Sequence, residues 1–230
     1  MQESDKLFQS LEAQIVACRR CPRLVEWRQE VAQVKRRAYL DWDYWGKPVP
    51  GFGDYHARVL VVGLAPGAHG SNRTGRMFTG DSSGDFLYPA LFQAGFANQP
   101  HAMQREDGLK LEDMFISAVC RCVPPGNKPK ADEISNCLPY LEREIDLLDR
   151  LEVIVALGRI AFDQTLRIYR QRTGERLRFQ FAHGATFDLG DGFPWLIASY
   201  HPSRQNTQTG RLTEVMFAEI WEKVAEILTQ

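Results

Sequence analysis

Asp81, Asn127 and His201 are the residues of this chain whose types and positions most invite chemistry. Each is polar and lies in a loop that follows an apolar run: residues 59–62, 114–119 and 195–200 in turn. A carboxylate, an amide and an imidazole can together position water, move a proton and donate a hydrogen bond to developing charge. Phe78 adds an aromatic face beside Asp81, and Asn206 a second amide beyond His201. Each also has a plainer use: Asp81 as a helix N-cap, Phe78 as core, His201 as a structural histidine before Pro202. The cysteines form a second set. Cys18 and Cys21 are spaced C-x2-C, and Cys122 and Cys137 lie far along the chain. Four thiolates suit zinc or an iron–sulfur cluster, with plain packing as the alternative. Their expected role is to tie the amino-terminal helices to the rest. Cys120 continues an apolar run and reads as a small buried hydrophobe.

These groups need elements to hold them. The run 59–62 is a continuous apolar stretch, the mark of a strand buried on both faces. It stops at Gly63, and a loop rich in Gly, Ser and Thr carries His69, Arg73, Arg76, Phe78 and Asp81. Long loops in compact domains usually carry function. Strands are expected at 114–119, 152–157 and 195–200, with a hairpin at 177–188. Apolar residues at helical spacing predict helices over 4–17, 24–38, 84–94, 130–148, from 158 to about 171, and 213–228. Residues 81–83 supply N-caps for the third of these. The segment 39–52 holds Trp42 and Trp45 and reads as an ordered loop, because its aromatics need burial. Strands alternating with helices imply parallel βαβ units with helices on both faces of the sheet. The three polar loops then open on one edge, where ligands bind in such sheets.

The 230 residues form one domain, 1–230, of ordinary composition, 44% hydrophobic and 25% charged. Net charge is −1, so any nucleic-acid binding must come from local basic patches. No apolar run is long enough to span a membrane, and the first residues lack a signal-peptide pattern. A cytoplasmic protein is expected, with its cysteines reduced. The glycine-rich first loop lacks G-K-[ST] and G-x-G-x-x-G, which argues against a nucleotide-binding transferase. A non-catalytic iron–sulfur or zinc DNA-binding module would keep the cysteines and arginines but have no need of the three polar groups together.

Four motifs carry a resemblance: Gly63-Leu-Ala-Pro-Gly67, Arg73-Thr-Gly-Arg-Met-Phe-Thr-Gly-Asp81, Cys122-Val-Pro-Pro-Gly-Asn-Lys-Pro129, and the segment from His201 to Thr213. With the cysteine pattern, they resemble the uracil-DNA glycosylase superfamily, specifically its fifth family, the type B enzymes that carry an iron–sulfur cluster. The resemblance runs from Cys18 to the closing helix. It implies a three-layer αβα sandwich around a four-stranded parallel sheet, a [4Fe–4S] cluster, and excision of deaminated bases from single- or double-stranded DNA by a monomer. By match, Cys18, Cys21, Cys122 and Cys137 are the cluster ligands, and Asp81, Asn127 and His201 fall on catalytic positions. Asn206 falls on a further site position. Met77 departs from the family's usual Pro and is expected to loosen the turn before Phe78.

The chemistry of base excision agrees. It requires a base flipped from the stack, and Phe78 offers a platform for it. Gly63, Ala65 and Gly67 bring backbone close to the base. His201 can stabilise the departing base, Asp81 can act on water or on the sugar's charge, and Asn127 can orient the water. Arg73, Arg76, Arg204 and Arg211 suit phosphates, with Ser203 and Thr207 as neutral donors. Relatives narrow for uracil carry Asn four residues before the third cluster cysteine. Ala118 stands there in this chain, as in the broad type B enzymes, and predicts excision of hypoxanthine and xanthine besides uracil.

Overall fold

A computed structural model describes residues 3–175, 178–190 and 192–229. The sheet contains β1 (Phe52–Gly53), β2 (Val59–Gly63), β3 (Met114–Ala118), β4 (Val153–Leu157), β5 (Thr186–Phe187) and β6 (Trp195–Ser199), in the order β1-β3-β2-β4-β6-β5. The four long strands are parallel, as the apolar runs predict. Every residue of β2, β3 and β4 is buried, which explains why they read as unbroken apolar stretches. The two-residue strands β1 and β5 add antiparallel edges. Only β5 forms in the region expected to be a hairpin. There Phe179 and Phe181 pack on the core of one sheet face instead of pairing as strand. Leu177, the first residue of that expected hairpin, lies outside the described residues.

Helices cover both faces. Alternation along β2 sends Val59 and Val61 to one face and Leu60 and Val62 to the other. The first face packs on α4 (Ser82–Gln93) and α8 (Glu214–Leu228), through residues such as Leu87, Leu91, Phe217 and Trp221. The second packs on α1 (Glu3–Val16), α5 (Ala131–Leu147) and α6 (Arg159–Thr173), through Phe8, Leu141 and Phe162. The remaining helices are α2 (Pro22–Val34) and the short α3 (Ser71–Thr74) and α7 (Arg204–Gln208). The second helix stops at Val34, short of the expected 38, because Lys35 takes a left-handed φ of 55°. The chain then turns so that Tyr39 and Trp42 can clamp Arg73.

The order of the sheet sets the site. The chain leaves β2 for β3 on one side and later places β4 on the other. This reversal opens a crevice at the carboxyl end of β2, the usual ligand position in open α/β sheets. Gly63, Ala118 and Leu157 end β2, β3 and β4 at that edge.

Candidate active site

A cavity of about 1000 Å³ opens at this edge and collects Asp81, Asn127 and His201. Asp81 resolves the choice between cap and site by dividing its oxygens. Oδ1 accepts from the backbone N–H groups of Ser83 at 3.0 Å and Gly84 at 3.3 Å, capping α4. Oδ2 lies against Gly67 and Gly70. A Cβ on Gly70 would stand 1.8 Å from that oxygen, and one on Gly67 2.7 Å away. The glycines of the first loop thus make room for a carboxylate rather than for a phosphate. Burial raises the Asp81 pKa, and the two N–H bonds offset this only in part.

Phe78 forms the wall between the first and last loops. Its φ is 51°, a strained value for a bulky residue. Its ring reaches to 2.8 Å from where a Cβ on Gly63 would sit, so only glycine at the end of β2 admits it. It stacks on the His201 ring with centroids 5.7 Å apart and planes 30° apart. Met77, whose place in the family is usually taken by Pro, sits in this turn. It is buried, and its carbonyl accepts from the Tyr88 hydroxyl at 2.8 Å and from Thr79 Oγ1 at 3.1 Å.

His201 follows β6 and is held from behind. Asn206 Nδ2 donates to its carbonyl at 2.8 Å, so Asn206 positions the histidine backbone as well as lining the cavity. His201 Nδ1 is buried without a partner among the described residues. Burial pushes its pKa down to about 4, so the ring is neutral at physiological pH. It can donate one N–H without carrying charge. Asn127 ends the 3-10 turn Pro125–Asn127 with a φ of 57°, exposed at the cavity rim. Ala118 pairs in register with Gly63 and presents only a methyl group to the cavity, which Ala65 and Gly67 also line.

The four expected phosphate arginines separate into two pairs. Arg73 and Arg76 are 4% and 3% exposed and do not face solvent. Arg73 lies 4.0 Å from each of the Tyr39 and Trp42 ring centroids and donates to the carbonyls of His69 and Gly80. Arg76 makes a bidentate pair with Asp107 at 2.8 and 2.7 Å. Both are buried and most of their donors go to the protein, though Arg73 Nη1 has no partner among the described residues, so in this structure the two arginines brace the first loop rather than face solvent. Arg204 and Arg211 are exposed and line the cavity, as expected, and Ser203 caps α7 beneath them. Two further exposed arginines on the rim, Arg36 and Arg159, were not expected there. Arg159 follows the fourth strand end, Gly158, and a reading of all four strand ends would have found it. Arg36 stands in a Lys-Arg-Arg run just ahead of the aromatic loop.

Residues 50–225 match the family model of the uracil DNA glycosylase superfamily. The chain belongs to the uracil-DNA glycosylase superfamily. Among curated relatives, a type-5 uracil-DNA glycosylase of Thermus thermophilus is 52% identical over 90% of this chain and 91% of its own. One of Mycobacterium leprae is 50% identical over 94% of each. A type-4 uracil-DNA glycosylase of Sulfurisphaera tokodaii is 35% identical, but over only 51% of this chain and 47% of its own.

The cysteines of this superfamily member lie across the sheet from the cavity's aromatic wall. All five are free thiols, with Cys18 and Cys21 partly buried and Cys120, Cys122 and Cys137 buried. Cys120 belongs to the core of the second sheet face, as its apolar context implies. Its thiol also hydrogen-bonds Cys137 and lowers that pKa, whereas burial holds Cys122 up at about 12. Cys18, Cys21 and Cys137 all act electrostatically on Cys122, so the four expected ligands share one neighbourhood. Two donors already face the sulfurs: Asn136 Nδ2 to Cys21 at 3.5 Å and the Arg121 N–H to Cys137 at 3.3 Å. Among the described residues, no three His, Cys, Asp or Glu groups converge as a single metal ion demands. No helix among them is long and apolar enough to cross a membrane.

Proposed function

We propose that the protein is a DNA repair glycosylase that hydrolyses the N-glycosidic bond of uracil, and of hypoxanthine and xanthine, in flipped-out nucleotides. One observation carries this reading: a carboxylate, a neutral imidazole and an aromatic face meet in one cavity at the sheet edge. As the bond to the base breaks, positive charge grows on the sugar and negative charge on the base. Neutral His201 donates a hydrogen bond to the departing base, which a preorganised donor does without reorganisation. Asp81 Oδ2, more basic than an ordinary carboxylate because it is buried, accepts a proton from the attacking water and offsets the sugar's charge. Asn127 orients that water from the rim. Phe78 stacks on the base. The exposed guanidiniums of Arg36, Arg159, Arg204 and Arg211 meet phosphates.

Cys18, Cys21, Cys122 and Cys137 hold a [4Fe–4S] cluster in this reading. Four cysteine thiols suit such a cluster, and N–H donors already face Cys21 and Cys137. The cluster's part is structural: it ties α1 and α2 to β3 and α5. Ala118 sets the breadth of substrate. A methyl group leaves no polar reader unsatisfied when a purine enters, so discrimination among bases is weak.

Duplexes carrying one uracil, hypoxanthine or xanthine, treated with the protein and then with alkali, test the proposal. Strand breaks at all three bases are expected. Intact uracil strands would refute the activity, and breaks at uracil alone would refute the breadth. Ala118→Asn should sharpen the preference for uracil by up to about 1–3 kcal/mol if the new amide bonds that base. Anaerobically purified protein should be brown. Colourless protein with one zinc and full activity would remove the cluster.

A further inference from the structure

A charge buried without a counter-charge is costly, so each buried guanidinium raises the question of its partner. Arg121, 1% exposed, pairs with Glu144, and Arg76 pairs with Asp107. Arg73 lies against the rings of Tyr39 and Trp42. Arg28, in α2, differs. It is 2% exposed, and among the described residues no carboxylate pairs with its guanidinium. Nη1 donates to the Gly46 carbonyl at 3.3 Å and Nη2 to the Cys18 carbonyl at 3.5 Å, both long, and Nε has no partner. The helix turn that carries this charge is fixed. The Arg28 carbonyl accepts from Asn72 Nδ2 at 3.2 Å, and Asn72 is itself buried in α3. The contact with Cys18 sets the guanidinium beside the thiols. Burial works against its charge, and the strongest favourable influence on it comes from Cys122, ahead of Cys18.

We propose that Arg28 is the buried counter-charge of the four-cysteine site, a positioning residue that offsets the thiolates from inside α2. The inference rests on the cluster reading above. Thiolates that hold iron and sulfide form an anion out of water, and this is the partner that a lone buried guanidinium lacks. The unpartnered Nε–H fits the same reading, since it is available to a sulfur. Net charge and hydrogen bonds to sulfur both set the potential of such a cluster. Arg28 therefore acts on its electron affinity as well as on its retention. Arg121 stands nearer in sequence, next to Cys122, but Glu144 already balances its charge.

Redox titration of the anaerobically purified protein, with iron release to a chelator measured in parallel, tests this role. Arg28→Met keeps most of the stem and removes the charge. It should make one-electron reduction less favourable by about tenfold, a potential lower by roughly 59 mV. It should also release iron faster than wild type. Arg28→Lys keeps the charge and should lie closer to wild type on both measures. Arg19→Ala removes an exposed arginine beside Cys18, where water screens the charge, and should leave the potential in place. A folded Arg28→Met without iron, beside an Arg28→Lys that holds it, would support the proposal equally. Wild-type potential and iron release in Arg28→Met would overturn it. So would equal impairment of Arg28→Met and Arg28→Lys, which marks packing rather than charge, or a shift in Arg19→Ala as large as that in Arg28→Met. Wild-type protein that holds no iron would refute the cluster reading instead.

Discussion

The first and last loops of the site carry matching sets: Asp81 with Arg73 and Arg76 in one, His201 with Arg204 and Arg211 in the other. They use them in opposite ways. In the first loop both arginines are buried, and apart from Arg73 Nη1 their guanidiniums engage aromatic rings, carbonyls, the Thr79 hydroxyl and Asp107. In the last loop both are exposed, and the Arg211 guanidinium lies 4.6 Å from the Tyr200 ring at the surface. The first loop is long and leaves the sheet, so its charges serve as internal braces. The last loop is short and is braced instead by Asn206 on the His201 carbonyl and by the Ser203 cap. Its arginines are free to meet DNA. The two reactive groups, in contrast, agree. Burial raises the pKa of Asp81 and lowers that of His201, each toward its neutral form.

The largest effect should come from removing charge at Asp81 while keeping its cap. Asn is as good an N-cap as Asp. Asp81→Asn should therefore lose roughly 10²–10⁴ in single-turnover excision rate, the range of a positioned acid–base group. Its thermal midpoint should hardly move. Asp81→Ala should lose the same rate and also about 0.5–2 kcal/mol of stability with the cap. Equal rates for wild type and Asp81→Asn would reduce the first loop to a scaffold throughout. The acid limb of the pH–rate profile should lie above the ordinary aspartate pKa of 3.8, because the folded value is raised, and the Asp81→Asn profile should lack it.

Next comes the brace. Arg76→Ala leaves Asp107 without its partner beside Thr79, a buried residue. Asp107 is partly exposed and keeps three backbone N–H bonds, so the cost should fall below the ~3–5 kcal/mol of breaking a fully buried pair. Burial alone would raise the Asp107 pKa, but Arg76 and three backbone N–H groups bring it down to about 2. That contribution to stability is complete above about pH 4 and is lost as pH falls toward 2. Urea midpoints should thus fall for Arg76→Ala at neutral pH, while Arg204→Ala stays at wild type. A neutral Arg76→Ala would remove the contrast between the loops.

Much of this was legible in the sequence, for physical reasons that differ by element. The four parallel strands show because burial on both faces leaves unbroken apolar runs, as in Val153–Leu157. Ser203 to Thr213 and the first loop show because their polar residues have no apolar period to hide in. Asp81 reads as both cap and site because it is both. Burial of Arg73 and Arg76 was not legible. An arginine in a loop looks like a surface charge until the chain brings Tyr39, Trp42 and Asp107 around it from 30 or so positions away. The strand ends were legible one at a time, and Arg159 was missed because its strand end carries no polar cluster.

A smaller effect separates the two titrating groups. The unfolded chain protonates histidine near its ordinary value of about 6.5, but folded His201 does so only near 4. Between these values the unfolded state holds more protons, so His201 lowers stability as pH falls through that window. Asp81 has the opposite sign, since its folded pKa is raised and its ionisation works against the fold as pH rises. His201→Gln should therefore lose less of its thermal midpoint between pH 7 and pH 4.5 than wild type does. An identical slope would mean that His201 is solvated and charges freely. Excision by wild type should show no break near 6.5.

The smallest effect should be the most specific to the last loop. Arg204 is exposed, lines the cavity and makes no side-chain bond to the protein among those described. Its removal costs the fold nothing that the structure shows. On DNA it neutralises one phosphate, and each such contact releases condensed counterions. Arg204→Ala should weaken binding to uracil-containing and undamaged duplex by the same factor, because phosphate contacts carry no base information. The plot of log affinity against log salt should flatten by about one unit. Arg73→Ala provides the contrast, since it removes a brace and no phosphate contact. It should lower stability and leave the salt slope of the remaining folded protein unchanged. If instead Arg73→Ala flattens the slope and Arg204→Ala does not, DNA runs over the first loop, and the roles assigned to the two loops exchange.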